Sequence, residues 1–118
     1  MKRLGQIIKR LELRKAKLKT AAAEVSGQLQ RIGALKIYLF GSFVTGRITP
    51  SSDLDFLAVM PKAKTSKQWL SQVYREIKRP VACDIFVYNA LDFENYREKS
   101  ALLRGITRKG RLIYEKRN

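Results

Sequence analysis

The most informative part of the chain runs from Leu39 to Leu57 and has the sequence LFGSFVTGRITPSSDLDFL. An apolar segment ends at a Gly41-Ser42 turn, and after ten further residues the tripeptide Asp53-Leu54-Asp55 opens a second apolar segment. Short apolar runs bounded by turn residues are typical of buried strands. Because side chains alternate along a strand, Asp53 and Asp55 are predicted to point to one face and the leucine between them to the other.

Each half of this pattern has a chemical use. Paired carboxylates offer the oxygen ligands that suit Mg²⁺ or Mn²⁺, while substrate phosphates and water complete the shell of the ion. The turn at Gly41 and Ser42 is predicted to open a short helix, whose free backbone N–H groups can receive phosphate oxygens. Taken separately, each motif also has an ordinary explanation, as a tight turn with a serine cap or as a polar entrance to a strand.

A third carboxylate strengthens the metal interpretation. Asp84 lies within VACDIFV (81–87), a predicted apolar strand in which a charge is costly unless a metal or cation pairs with it. The alternative is an exposed, alternating position on an edge strand. The chain has only four aspartates, and three of them fall in or beside predicted strands. A cluster of three carboxylates would be self-repelling, so a divalent cation is the natural compensation.

Composition narrows the partners and excludes some chemistries. The chain has 118 residues with 25 Lys and Arg against 10 Asp and Glu, a net charge of +15 that favours polyanionic partners. It has no histidine, which excludes histidine bases and histidine-ligated zinc, and its single cysteine, Cys83, excludes an internal disulfide. No apolar run is long enough for a membrane span, so we expect a cytoplasmic protein with no membrane partner.

Working outward, strands and helices alternate, which predicts an α/β class fold in one domain over 1–118. An N-terminal helical segment is expected at 1–33 and a catalytic core at 35–115. The predicted strands are 35–40, 54–59, 81–88 and 111–115, and the predicted helices after the first are 66–78 and 91–103.

The N-terminal segment carries apolar residues at steps of four and three, with one polar interruption: Leu4, Ile8, Leu11, Lys15, Leu18, Ala22, Val25, Leu29 and Ile32. This period predicts a helix, with Gly27 as a potential break. The stripe suits packing on its own domain, or pairing with a second copy or a partner. The first half is strongly basic, which suits nucleic acid, an acidic protein face or plain solvation.

The arrangement of Gly41-Ser42, ten residues and Asp53-Leu54-Asp55 resembles the signature of the DNA polymerase beta-like nucleotidyltransferase superfamily. The chain length and the strand around Asp84 are similar to its minimal branch, and the ending GRLIYE (110–115) resembles theirs. The resemblance runs from Leu35 to Glu115. It implies a nucleotidyltransferase fold, α+β in detail, with a small mixed sheet of three to five strands flanked by helices.

By that resemblance, Gly41 and Ser42 bind the triphosphate of ATP or another nucleoside triphosphate. Asp53 and Asp55 bind two Mg²⁺ ions, or Mn²⁺, and Asp84 helps to bind a metal and can activate the attacking hydroxyl. Many members carry arginines just after the serine, where this chain has Phe43 and Thr45. Nearby Arg47 and Ser52 are therefore further candidates for nucleotide binding.

The resemblance also implies a biological setting. Members of the minimal branch are often antitoxins paired with a helical HEPN-type toxin, which they neutralise by contact or by transferring AMP from ATP to a hydroxyl. Two alternatives stay open: a non-catalytic binding module that acts by contact, and a nucleotidyltransferase directed at RNA. A homo-oligomer formed through the N-terminal helix is a further expectation.

Overall fold

A computed structural model describes residues 2–49 and 51–117. Met1, Pro50 and Asn118, which the predicted domain includes, lie outside the described residues. The elements in chain order are α1 (Lys2–Arg31), β1 (Lys36–Phe40), α2 (Ser42–Thr45), β2 (Leu54–Met60), α3 (Ser66–Glu76), β3 (Cys83–Asn89), α4 (Ala90–Tyr96), α5 (Ala101–Lys109) and β4 (Arg111–Glu115).

The strands form one mixed sheet in the order β3-β2-β1-β4. β1 is antiparallel to both β2 and β4, whereas β2 and β3 are parallel. The connection between β2 and β3 contains α3, as parallel neighbours require. The predicted mixed sheet with flanking helices is confirmed, and all four predicted strands are present within two residues at each end.

Both faces of the sheet are covered, which explains why β2 is apolar along nearly its whole length. On one face, Phe56 and Met60 pack with α1 and with Trp69 of α3. On the other face, Leu57 and Val59 pack with residues of α4 and α5 such as Phe93. β2 thus lies at the centre of the molecule and provides a rigid base for the residues at its beginning.

The first helix is continuous from Lys2 to Arg31, so Gly27 causes no break. Its second half packs on the sheet through the fully buried Leu18, Val25 and Leu29. Its first half does not: Leu4 is 59% exposed and Ile8 47%. The molecule is accordingly elongated, with extents of 55 × 29 × 25 Å. Packing on its own domain therefore accounts for only half of the apolar stripe.

One predicted helix is wrong in its extent. The segment 91–103 is not one helix but contains nearly all of α4, a connection and the start of α5. The side chain of Asn89 caps α4 by accepting from the Asp92 N–H at 2.8 Å. Ser100 caps α5 by accepting from the Leu103 N–H at 3.2 Å. Serine is a strong N-cap residue, and it starts a new helix where the pattern of apolar residues alone suggested continuation.

Within the described residues, no helix has the length and apolar character needed to cross a membrane.

Candidate functional site

The candidate site is built around two carboxylates on adjacent strands. Asp55 is the second residue of β2 and Asp84 the second of β3, and the two are directly paired in the parallel register. Paired residues of neighbouring strands point to the same face, which here is the face of Leu57 and Val59. The structure therefore brings together two of the three predicted metal ligands from positions 29 residues apart in the sequence.

Asp53, the third predicted ligand, lies just before β2 and has a 56% exposed side chain. Its carboxylate is 4.0 Å from the guanidinium of Arg14 in α1, at the outer limit of an ion pair. It is close enough to Asp55 to influence that group electrostatically. The three carboxylates thus share one end of the sheet in an otherwise very basic protein.

The electrostatics of Asp55 reflect this crowding. Its pKa is raised first by partial burial, then by the negative charge of Asp84 and then by that of Asp53. Each cause disfavours the ionised form, and a bound cation would reverse the balance. The donor set therefore fits a hard divalent ion, since it combines oxygen ligands with negative charge that the loose ion pair of Asp53 with Arg14 offsets only in part.

The geometry is that of an open set of ligands. Over the described residues, no three His, Cys, Asp or Glu side chains lie close enough together to enclose a metal ion. The two exposed carboxylates, Asp53 and Asp84, flank the half-buried Asp55. An open set matches the way Mg²⁺ binds in nucleotide sites, where one or two carboxylates act together with substrate phosphates and water.

The expectation that Asp84 bears a costly buried charge is wrong. β3 is an edge strand of the sheet, and Asp84 occupies one of its exposed, alternating positions. The apolar run around it arises because Ile85 and Val87 face the core while the residues between them face outward. Asp84 belongs to the site because of its register with Asp55, and not because of burial.

Gly41 lies against Asp55, and this contact explains the glycine. Its backbone has φ 82° and ψ −157°, a conformation open essentially to glycine only. A Cβ atom at this position would overlap the Oδ2 atom of Asp55. The turn after β1 therefore places main-chain atoms directly beside the carboxylates.

Ser42 begins α2, as the sequence predicted for this turn, and no side chain caps the helix. The N–H groups of Val44 and Thr45 donate to the Gly41 carbonyl at 3.1 Å, so those of Ser42 and Phe43, at the start of the helix, are the ones available to an acceptor. Arg47 follows the helix, with its N–H bonded to the Ser42 carbonyl at 3.1 Å and its side chain exposed. It is five residues after Ser42 in the sequence.

Ser52 is buried, and its polar groups are used within the protein. Its hydroxyl accepts from the Thr49 N–H at 2.7 Å, and its carbonyl accepts from Arg14 at 2.6 Å. The serine thus organises the segment before Asp53.

Two cavities flank α2. The larger, about 670 Å³, lies between α1 and β4 and has Lys19 and Arg111 among its lining residues. The smaller, about 320 Å³, lies between α2 and α5 and is bordered by Phe40 and Gly41. Only the smaller one adjoins a residue that contacts Asp55, so we assign it to the site despite its size.

Sequence reasoning missed two neighbours of the carboxylates. Phe86 lies two residues after Asp84 on the same face, and its ring centroid is 5.7 Å from that of Phe40. Residues two apart on a strand point to the same face, so the sequence was sufficient to predict that Phe86 lies on the face of Asp84. The other neighbour is Arg14. The sequence predicts that it lies on a basic helix, but nothing in the sequence shows that its side chain reaches Ser52, 38 residues away.

With this geometry established, comparison with known proteins gives the family. The family model described as Polymerase beta, Nucleotidyltransferase matches residues 27–118. The chain belongs to this nucleotidyltransferase family. The match covers the sheet, the Gly41 turn and all three carboxylates, and leaves out most of α1.

A solved structure supports the fold of this family member. It is that of a protein from Sulfolobus solfataricus assigned as a nucleotidyltransferase, with a TM-score of 0.65 and 18% sequence identity. The similarity covers 91% of this chain and 88% of the other. At this identity the likeness speaks for the fold alone. Comparison with curated proteins finds no significant match.

Proposed function

We propose that this family member transfers a nucleoside monophosphate, AMP from ATP, to a hydroxyl acceptor in a metal-dependent reaction. The observation that carries the proposal is the direct pairing of Asp55 with Asp84, beside Asp53 and against the Gly41 turn. Family membership supports nucleotidyl transfer in general. The metal, the nucleotide and the acceptor are our proposals.

In this mechanism Asp53, Asp55 and Asp84 would hold two Mg²⁺ ions, or Mn²⁺ in their place. Such ions would supply Lewis acidity toward the phosphates and toward the acceptor hydroxyl. Gly41 and Ser42 receive oxygens of the triphosphate through main-chain N–H groups, with Arg47 and Ser52 as further nucleotide-binding candidates. The exposed Asp84 takes the proton of the acceptor hydroxyl, whose oxygen bonds to the α-phosphorus as the bond to pyrophosphate breaks.

The decisive experiment measures transfer from α-labelled ATP in the presence of Mg²⁺ with the Asp53→Asn and Asp55→Asn variants. Loss of a residue that only supports metal ligands costs 10- to 100-fold, so loss of a ligand should lower transfer by about 100-fold or more. Glu24→Gln is the matched control, because it removes an exposed negative charge from α1, outside the site. Transfer that survives both aspartate changes would sink the mechanism.

The exposed first half of α1 supports a protein partner. Leu4, Ile7 and Ile8 are about half exposed on the side of the helix that packs inward further along. Residues 2–19 carry eight Lys and Arg but only one acid, Glu12. A second copy would bring two such basic surfaces together, so a homo-oligomer is disfavoured relative to an acidic partner, and a helical HEPN-type protein is our specific proposal.

Mixing the chain with the protein encoded beside its gene, followed by light scattering after gel filtration, tests this partner. Ile8→Ser should weaken the complex. Leu13→Ser should not, because Leu13 is also exposed, at 62% against 47% for Ile8, but lies on the opposite side of the helix. A chain that forms a dimer by itself, and loses it with Ile8→Ser, would favour the homo-oligomer.

The same partner is compatible with a chain that acts by contact alone. Calorimetric titration with ATP and Mg²⁺ separates the two functions, since a pure binding module has no metal-dependent nucleotide uptake. A protein that forms the complex but takes up no nucleotide would replace the enzyme with the contact antitoxin.

RNA is the second candidate acceptor, favoured by the charge of +15 and by exposed tyrosines among basic residues. Tyr74, 63% exposed, has the guanidinium of Arg79 4.7 Å from its ring. Contact with phosphates predicts an RNA affinity that falls steeply with the logarithm of salt concentration. A gel shift that is absent or insensitive to salt excludes this acceptor.

A further inference from the structure

Arg14 connects α1 to the residues that precede β2. Its Nη2 atom donates to the Ser52 carbonyl oxygen at 2.6 Å and lies 4.0 Å from Oδ1 of Asp53. The first contact is a short, charge-assisted hydrogen bond, and the second is a loose ion pair. Arg14 therefore holds the main chain next to Asp53 more firmly than it holds the carboxylate.

The side chain is unusually enclosed for an arginine on a basic helix. It is only 20% exposed, whereas Lys15 beside it is exposed to solvent. Its Nε atom is buried and has no acceptor among the described residues. A buried donor without a partner costs about 1 to 3 kcal/mol, which offsets part of the gain from the hydrogen bond to Ser52.

Besides the Arg14 contact, Ser52 has local bonds to Thr49, and its N–H donates to the Thr49 carbonyl at 3.0 Å. On one side, the Ser52 hydroxyl accepts from the Thr49 N–H. On the other, the fully buried Leu54 enters the sheet. Asp53 lies between them with its carboxylate mostly exposed, so its position beside Asp55 depends on where Ser52 is fixed.

We propose that Arg14 is a positioning residue for the metal-binding carboxylate of Asp53. The inference rests on the proposed function, because it assigns Asp53 to the metal site. Arg14 fixes the Ser52 main chain and leaves the Asp53 carboxylate free to face the ligand, so α1 acts as part of the site. The family model matches residues 27–118, so Arg14 would contribute to the site from outside the matched part of the chain.

If Arg14 acts only through its charge, replacing it should have the opposite effect on metal binding from the one expected if it positions Asp53. By charge alone, removing a cation from beside a divalent-ion site strengthens binding of the ion. Removing a residue that supports a metal ligand weakens it, commonly by 10- to 100-fold. The sign of the change in Mn²⁺ affinity therefore separates the two explanations.

The experiment compares the full chain with its Arg14→Met, Arg14→Lys and Lys15→Met variants. Met keeps the unbranched stem as far as the Nε position without charge or donor, and Lys keeps both charge and donor. Lys15→Met removes a charge from the same turn, at a residue that makes no hydrogen bond to Ser52. Two measurements are made on each: amide hydrogen exchange of residues 51–54 without metal, and Mn²⁺ affinity by calorimetry.

We expect Arg14→Met to speed amide hydrogen exchange in residues 51–54 and to weaken Mn²⁺ binding about 10-fold. Arg14→Lys should restore part of both properties, and Lys15→Met should change neither. Unchanged exchange, or tighter Mn²⁺ binding in Arg14→Met, overturns the inference. If the unaltered chain binds no Mn²⁺, the proposed function fails, and hydrogen exchange still decides whether Arg14 holds this segment.

Discussion

Asp55 and Asp84 lie side by side on parallel strands, with no residue between them to offset their charges. The chain carries 25 basic residues, so electrostatic repulsion between carboxylates is confined to this site. This repulsion disfavours the ionised carboxylates in the folded chain, and a bound cation would relieve it. The free energy of unfolding should therefore depend on whether a metal ion is bound at this pair of carboxylates.

Asp55→Asn should stabilise the metal-free chain near neutral pH, by about 0.5 kcal/mol on the scale of partly exposed charge pairs. Because the folded-state pKa of Asp55 is raised, the folded chain binds the proton more tightly than the unfolded chain. The loss of stability caused by ionised Asp55 is therefore full above the raised pKa and disappears as the pH falls through it. Urea unfolding in EDTA should show the advantage of the variant shrinking toward about pH 4.

Addition of Mg²⁺ at neutral pH provides the complementary result. It should raise the urea midpoint of the unaltered chain and leave that of Asp55→Asn nearly unchanged, since only the former has the complete ligand set. Equal stabilisation of both proteins would show that the ion binds elsewhere.

Gly41→Ala should cost about 3 kcal/mol or more, because a strained backbone and a clash with the Asp55 carboxylate add together. Gly46→Ala is the matched control. Gly46 also has a positive φ, 80°, but its ψ of 7° is in the left-handed helical region and no atom lies near its absent Cβ. It should cost only about 1 kcal/mol. Similar urea midpoints for the two variants would contradict the contact between Gly41 and Asp55.

The sheet was predictable from the sequence because its strands are short apolar runs bounded by turn residues. The strand that holds Asp55 is the clearest case, since it is apolar on both faces. Asp53 and Asp55 were predictable as neighbours at the start of a strand, but the reason that Asp84 lies beside Asp55 was not. That reason is strand register, which depends on how β3 aligns with β2 and has no local signature.

The contribution of α1 escaped prediction for a different reason. Periodicity shows which side of a helix is apolar, but not how far along its length the rest of the protein extends. The apolar period continues from Leu4 to Leu29 with one polar interruption, whereas the sheet covers only the second half of the helix. Arg14 stands at the transition between the halves, and its contact with Ser52 is a tertiary fact that a single sequence does not encode locally.

The two halves of α1 should respond differently to the loss of apolar side chains. Leu18→Ala removes a fully buried side chain and should cost about 3 kcal/mol, within the range for leucine in a core. Ile8→Ala should cost less than about 0.5 kcal/mol, since its side chain is half exposed and the change favours the helix. Thermal or urea unfolding of the separate variants checks this, and a large cost at Ile8 would mean that the first half is covered in solution.

Ser52→Ala distinguishes a hydroxyl that organises the segment from one that binds nucleotide directly. The hydroxyl accepts from the Thr49 N–H at 2.7 Å, and its loss should cost about 1 kcal/mol of stability. Ser51→Ala is the control, because Ser51 is exposed and its hydroxyl makes only a 3.3 Å contact with Thr49. If Ser52 acts by placing Asp53, its alanine variant should lose affinity for Mn²⁺ and ATP together. Loss of ATP affinity with Mn²⁺ binding intact would instead assign the Ser52 hydroxyl to the nucleotide, because the metal ligands would then be undisturbed.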